Sequence, residues 1–136
     1  MASRLVQLFS LRRFDFAPLT AGTTMEIELV RCLRVLDWVE ATLEVRVHAV
    51  SMTSGGSIHV RLTPTSLTPE DPSVGFRAAS PTFSASITSS TTAPALVVAT
   101  VGSAIGGYLR LSVLGTRGSG AGSYQADLSA VLVGKR

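Results

Sequence analysis

Charged residues are scarce in this sequence. Lys, Arg, Asp and Glu make up 15% of its 136 residues, against about 25% in an average soluble domain. Because a monomer normally covers its surface with charge, the shortage predicts that another chain covers part of the surface. The hydrophobic content of 46% excludes a disordered chain, which needs low hydrophobicity and high charge. We therefore expect one folded domain over residues 1–136 with a core of its own.

Features that mark several other protein classes are also missing. The single cysteine, Cys32, cannot form a disulfide within the chain, and we interpret it as a half-buried thiol. Arg12 and Arg13 interrupt the N-terminal apolar patch too early for a signal peptide, and no apolar run approaches the roughly 18 residues of a membrane span. Residues 1–77 are neutral, so the net charge of +3 forms no basic stripe with interleaved aromatics, and no nucleic-acid partner is predicted.

The dominant pattern is an alternation of apolar and polar residues, which places successive side chains on opposite faces of a strand. It is clearest from Leu43 to Ala49 and from Ile58 to Leu62. Strands are predicted at about 3–9, 24–31, 42–50, 57–63, 82–88, 95–101, 107–114 and 123–133. About eight short strands separated by turns predict an all-β, antiparallel β-sandwich of the jelly-roll kind. Trp38, in the connection before the third strand, is expected to close one end of its core.

Two connections are predicted to be hairpins. The turn-forming cluster from Ser51 to Gly56 separates the third and fourth strands, so we expect these strands to pair. Pairing Glu44 with Arg61 is favoured over pairing Arg46 with Arg61, because opposite charges stabilise a cross-strand pair and like charges destabilise it. The Gly/Ser-rich residues 115–122 are expected to join the last two strands in the same way.

One long segment of the chain carries no charge. Between Ala78 and Leu109 there is no charged residue, and Ser, Thr, Ala and Val predominate. An uncharged β surface does not repel a neighbour, and the centres of protein interfaces are depleted of charge in the same way. The segment therefore fits an interface, and equally a plain β surface that faces solvent.

Residues that could carry chemistry do not form a recognisable site. Gly118 to Gly122 resembles a phosphate-binding loop, but such loops precede a helix and here a strand follows. His48 and His59 are expected close together on the outer face of the first hairpin, yet two imidazoles fall short of the roughly three to four ligands of a zinc site. Glu70 and Asp71 lack the ligand spacing of a calcium loop. We predict no enzyme activity, no catalytic residue, no metal site and no cofactor.

Two segments are predicted to bind a partner. Residues 1–16 alternate apolar and basic side chains and are interpreted either as an arm that adds a strand to a neighbouring subunit or as an edge strand of the chain's own sheet. Residues 64–81 form a connection with four prolines, long enough to be functional. The predicted contacts are Arg4, Leu5, Phe9, Arg12, Arg13 and Phe14 in the first segment, and Phe76 and Arg77 in the second.

The order of these features resembles a known group of proteins. The run from Val35 to His48 leads into a Gly-Gly turn, Thr92 to Leu96 precedes a Gly-Gly-Tyr-Leu-Arg-Leu strand, and a Gly/Ser loop leads into the last strand. The arrangement resembles the small β-sandwich structural proteins of tailed bacteriophages and phage-like particles, such as capsid decoration and minor head proteins. The resemblance implies a non-enzymatic virion protein, assembled in the host cytoplasm, that binds the major capsid protein, commonly as a homotrimer.

The alternative function is a carbohydrate-binding or adhesive sandwich. Sugar recognition uses exposed aromatic platforms, and this chain has one Trp, two Tyr and five Phe, several of which the core requires. A stable oligomer in solution would favour the shell protein, whereas a strict monomer would count against it.

Overall fold

The computed structural model of the protein describes residues 3–35, 38, 40–65, 83–101 and 108–135. Their strands are β1 (Ser3–Asp15), β2 (Thr24–Arg34), β3 (Glu40–Met52), β4 (Ser57–Thr65), β5 (Phe83–Thr88), β6 (Ala95–Val101), β7 (Tyr108–Thr116) and β8 (Tyr124–Lys135). Every predicted strand corresponds to an observed one, so the all-β prediction is confirmed. Several strands extend beyond their predicted limits, and β1 continues to Asp15.

The described strands form two antiparallel sheets of four strands each. Sheet A has the order β1-β8-β3-β6, and sheet B has the order β2-β7-β4-β5. β1 pairs with β8, β2 with β7, β3 with β6 and β4 with β5. The strands therefore pair as in one long hairpin, and this hairpin is folded over to make two layers. The predicted jelly-roll-like sandwich is therefore confirmed.

The core lies between the two sheets and is built from alternate residues of each strand. In β8, every second residue from Tyr124 to Leu132 is at most 1% exposed. Leu43 and Val45 of β3 meet Ile58 and Val60 of β4 in the same buried cluster. The pleat of a strand imposes this alternation, and burying one such aliphatic side chain stabilises the fold by about 1.5–3 kcal/mol.

Both predicted hairpins are wrong. β3 lies in sheet A between β8 and β6, whereas β4 lies in sheet B between β7 and β5. Residues 53–56 therefore carry the chain from one sheet to the other, and β7 and β8 are likewise in different sheets. The Glu44–Arg61 register is wrong for the same reason, since Glu44 belongs to sheet A and Arg61 to sheet B.

The hairpins were predicted wrongly because an alternating pattern does not specify which strands pair. Alternation determines which face of a strand is buried. It does not determine whether two apolar rows lie side by side in one sheet or face each other across a core. Here the rows of β3 and β4 face each other, and residues 53–56 make a turn in which Gly55 has a φ of 89°, a conformation that favours glycine.

Near each end of β8, an aromatic ring packs on a glycine. One of these glycines is in β8 and the other is in β7. Trp38 is 7% exposed and lies against Gly134, near the end of β8. Phe16 is 2% exposed and lies against Gly115 of β7, and its backbone N–H donates to the carbonyl of Tyr124 at the start of β8. A methyl group at either glycine would overlap the ring. Trp38 thus belongs to the core as predicted, and Phe16 fills the corresponding position at the opposite end.

Candidate interaction surface

The two edge strands of sheet A are the places where the sandwich offers backbone groups to another chain. β1 pairs on one side with β8, and β6 pairs on one side with β3. Within the described residues, no strand pairs with the other side of either. Such an edge presents unpaired N–H and C=O groups that can accept a further strand. We refer to residues 3–15 as the β1 edge and to residues 95–101 as the β6 edge.

The β1 edge contains the segment predicted as an arm. Its residues 3–15 pair with β8 and are an edge strand of the chain's own sheet. Leu5 is 68% exposed and Leu11 is 64% exposed, the two highest values among the large hydrophobic residues that the structure describes. The register shifts twice, between Gln7 and Phe9 and between Phe9 and Arg12, so the strand is irregular where Leu11 projects.

The arginines of the β1 edge have different environments. Arg13 donates two hydrogen bonds to the carboxylate of Asp127, at 2.8 and 3.2 Å. These bonds lower the pKa of Asp127 and raise the pKa of Arg13. The Arg12 guanidinium lies 5.0 Å from the ring centre of Phe14, a cation–π distance. In the described part of the chain, no acidic side chain forms an ion pair with Arg4 or Arg12.

Phe9 and Phe14, which were predicted as partner contacts, are less exposed than Leu5 and Leu11. Phe14 is 2% exposed because it faces inward opposite Ala126, so its assignment as a partner contact is corrected to a core residue. Phe9 is half-buried and meets the Phe14 ring edge-on, with 5.5 Å between ring centres. Phe76 and Arg77 lie outside the described residues.

The β6 edge has the opposite character. Its seven residues include none that is charged, and its register with β3 has no shift. Leu96 and Val98 point outward and are 54% and 50% exposed. Val97 and Ala99 point inward but are only half-buried, whereas the inward residues of the central strand β3 from Ala41 to Val47 are at most 1% exposed.

The described part of the charge-free segment lies along one side of the sandwich. The described residues of that segment include β5 and β6, which are the end strands of sheets B and A and lie next to each other. On the outer face of β5, Ser86 is hydrogen-bonded to His59 at 2.8 Å, and Thr88 to Ser90 at 2.8 Å. β5 therefore presents hydroxyl groups on this side, and β6 presents aliphatic groups.

The outer face of sheet B is covered by an ion-pair network. Arg61 lies 2.8 Å from Glu26, and Arg110 lies 2.6 Å from both Glu26 and Glu28. Ser112 is fully buried beneath these side chains. Partial burial alone would raise the pKa of Glu26, but the Ser112 hydroxyl and the two arginines outweigh it, and the pKa is lowered. The four charged groups of this network thus neutralise one another.

The two histidines lie on opposite faces of the sandwich. His48, on sheet A, forms a 2.8 Å hydrogen bond with Ser129, and His59, on sheet B, forms one with Ser86. Their predicted proximity is wrong because β3 and β4 are in different sheets. Burial and the charge of Arg61 lower the pKa of His59. Within the described ranges, no three His, Cys, Asp or Glu side chains are grouped so that they could hold a metal ion.

Leu11, Leu96 and Val98 are surface residues that the sequence analysis missed. Leu11 continues the apolar and basic alternation of residues 1–16, which was a usable signal. β6 reads Ala-Leu-Val-Val-Ala-Thr-Val, an apolar run interrupted only by Thr100, and such runs are typical of a strand buried on both faces. Nothing in that run indicates that its strand lies at the end of a sheet.

The described residues form a jelly-roll sandwich in which the two end strands of sheet A, β1 and β6, have unlike surfaces. The described residues contain no helix long and apolar enough to cross a membrane. Comparisons with protein-family models, with curated proteins and with solved structures found no match for this chain.

Proposed function

We propose that the protein is a non-enzymatic structural subunit of a virus-like particle, which binds the major capsid protein through the β1 edge. The observation that carries the proposal is the exposure of Leu5 and Leu11, at 68% and 64%, on a strand with an unpaired outer side in the described structure. Fully burying a leucine is worth about 1.5–3 kcal/mol, so covering both is a substantial source of binding energy.

The charges of the β1 edge indicate the kind of surface that it fits. Arg4 and Arg12 are exposed, and neither is neutralised by an acidic side chain in the part of the protein described here. A partner surface with acidic groups beside an apolar groove would pair with them. An extended segment of that partner could also add to the free side of β1, since strand addition supplies main-chain hydrogen bonds.

The fold supports a structural role in a second way. β1 is held by β8 on both sides of the irregular stretch around Leu11 and by buried Phe14, so Leu5 sits on a paired part of the strand. A rigid strand loses little conformational entropy when it binds. Jelly rolls occur in viral capsid proteins and in lectins. Because one fold hosts many functions, the β1 edge and not the topology carries the proposal.

Co-expression with a major capsid protein from the same genome tests the proposal. Assembled shells are separated on a density gradient, and the amount of this chain that migrates with them is measured. We expect the wild-type chain to sediment with the shells at a saturating copy number, and a Leu5→Lys, Leu11→Lys double variant to stay near the top. A Met25→Lys variant is the matched control, because Met25 is 47% exposed on sheet B.

Wild-type protein that remains at the top of the gradient would overturn the proposal, and so would equal loss of binding in the control variant. Binding to a glycan array without binding to shells would favour the carbohydrate-binding alternative. Deleting residues 1–16 is not a suitable test, because the deletion removes Phe14 and Phe16 from the core.

A further inference from the structure

Within the described residues, the β6 edge has neither the bulges nor the charged side chains that the β1 edge has. Natural edges avoid unwanted pairing by charged residues, by bulges or by proline. The β1 edge has two register shifts and three arginines. The β6 edge has a regular register over its whole length and no charged or proline residue. It is therefore the part of sheet A best suited to accept another strand.

Both faces of β6 are also incompletely covered. On the outer face, Leu96 and Val98 remain about half exposed, at 54% and 50%. On the inner face, Val97 and Ala99 pack against the core but are only half-buried. A strand added beside β6 would cover both rows at once, because its own side chains alternate between the same two faces.

We propose that β6 pairs antiparallel with β6 of a second copy of this chain, centred on Val98, so that the two A sheets join across a twofold axis. Such an interface is isologous, meaning that the same residues contribute from each copy. The pairing is independent of shell binding, because it uses the opposite edge of sheet A from the β1 edge.

The sequence of β6 is complementary to itself in this register. Val98 lies opposite Val98 of the second copy, Leu96 lies opposite Thr100, and Val97 lies opposite Ala99. Each larger side chain thus meets a smaller or equal one, and apolar or β-branched pairs of this kind stabilise neighbouring strands. No charge is placed opposite a like charge, since β6 contains none.

A second copy fits this edge better than a segment of a different protein. When a foreign strand binds a sheet edge, side-chain pockets and charges select it, and β6 offers no charge for that purpose. The corresponding self-pairing of the β1 edge would bring Arg4 of one copy near Arg13 of the other. Like charges oppose that arrangement, so the β6 edge is better suited to self-pairing than the β1 edge.

The contact is short. Seven residues at about 3.4 Å each give an edge of roughly 24 Å, which buries less surface than a standard interface of about 1,600 Å². We therefore expect free dimers with a Kd in the micromolar range or weaker, and a higher dimer fraction wherever copies are concentrated.

Cysteine cross-linking tests the register directly. In a Cys32→Ser background, a Val98→Cys variant should form a disulfide-linked dimer under mild oxidation. Directly paired residues have Cα atoms about 4.5–5.5 Å apart, which a disulfide can span. Leu96→Cys alone and Thr100→Cys alone should not cross-link, because like positions are four residues or about 13 Å apart. An equal mixture of these two variants should cross-link.

Sedimentation equilibrium over a wide concentration range tests the association itself. We expect wild-type protein to fit a monomer–dimer equilibrium, and Val98→Lys to raise the dimer Kd at least tenfold with an unchanged circular dichroism spectrum. Leu5→Lys, at the opposite edge of the sheet, is the matched control and should leave the Kd unchanged.

Four results would overturn the pairing: a strict monomer at millimolar concentration, a trimer as the smallest oligomer, cross-linking of Leu96→Cys alone as efficient as that of Val98→Cys, or equal loss of dimer in Leu5→Lys. Shell binding that persists in Val98→Lys while dimers are absent from wild-type protein would remove this inference and leave the proposed function intact.

Discussion

The two edges of sheet A belong to the same sheet and have nearly opposite chemistry. The β1 edge is long, bulged and basic, and it exposes single leucines between arginines. The β6 edge is short, regular and uncharged. The comparison shows that exposed apolar residues alone do not specify a partner. In our two proposals, the charges and bulges around them determine whether an edge pairs with itself or with a different surface.

A third edge clarifies why the charges of β1 are available. β2 is also bulged and charged, but its acidic residues Glu26 and Glu28 are engaged with Arg61 and Arg110 from the neighbouring strands. These two acidic residues of β2 therefore contribute to the stability of the sandwich itself. Arg4 and Arg12 of β1 have no corresponding acidic partner in the described structure. Their charges are therefore available to form ion pairs with another molecule.

Phe14→Ala should have the largest effect, because Phe14 is the buried residue that fastens β1 to the core. We expect it to lower the free energy of unfolding by about 3–5 kcal/mol. Leu5→Ala, in the same strand but exposed, should change it by less than about 0.5 kcal/mol. Urea unfolding followed by circular dichroism measures both. Similar losses for the two variants would mean that β1 does not separate into a buried and an exposed row.

Arg110→Met should have an intermediate effect. It retains the aliphatic stem but leaves Glu26 and Glu28 with less positive charge, and we expect a loss of about 1–2 kcal/mol, between the values for exposed pairs and for buried charged groups. Arg4→Met is the control and should stay within about 0.5 kcal/mol. A larger loss for Arg4→Met would show that the basic residues of β1 also serve stability.

Lowering the pH should weaken the sheet B network. We expect the resulting loss in the free energy of unfolding to be smaller than that caused by Arg110→Met. The pKa of Glu26 is lower in the folded protein than in the unfolded chain, so between those two values the unfolded state binds more protons and stability rises with pH. The contribution is complete above the unfolded pKa of about 4.3 and is lost as pH falls through the folded value. Urea midpoints at pH 5.5 and pH 3 should differ less in Glu26→Gln than in wild type. An unchanged difference would exclude Glu26 as a source of acid sensitivity.

The sequence predicted the strands well because each inward row alternates with polar residues, as in β3 and β8. It failed on their neighbours, since alternation gives a strand's buried face and not its pairing partner, which is why Glu44 and Arg61 were placed together. It also misassigned Phe14 as a partner contact, because residues 1–16 were interpreted as a binding segment, whereas Phe14 faces the core opposite Ala126. Leu96 and Val98 are exposed because they lie on the outer face of β6, at the end of the described part of sheet A.

Hydroxyl-radical footprinting of free and shell-bound protein tests the central claim most directly, because it measures the exposure of individual side chains. Shell binding should strongly protect Leu5 and Leu11 from oxidation, while Met25 on sheet B keeps its rate and serves as the internal reference. Unchanged oxidation of Leu5 and Leu11 in protein that sediments with shells would contradict the assignment of the β1 edge as the shell-binding surface.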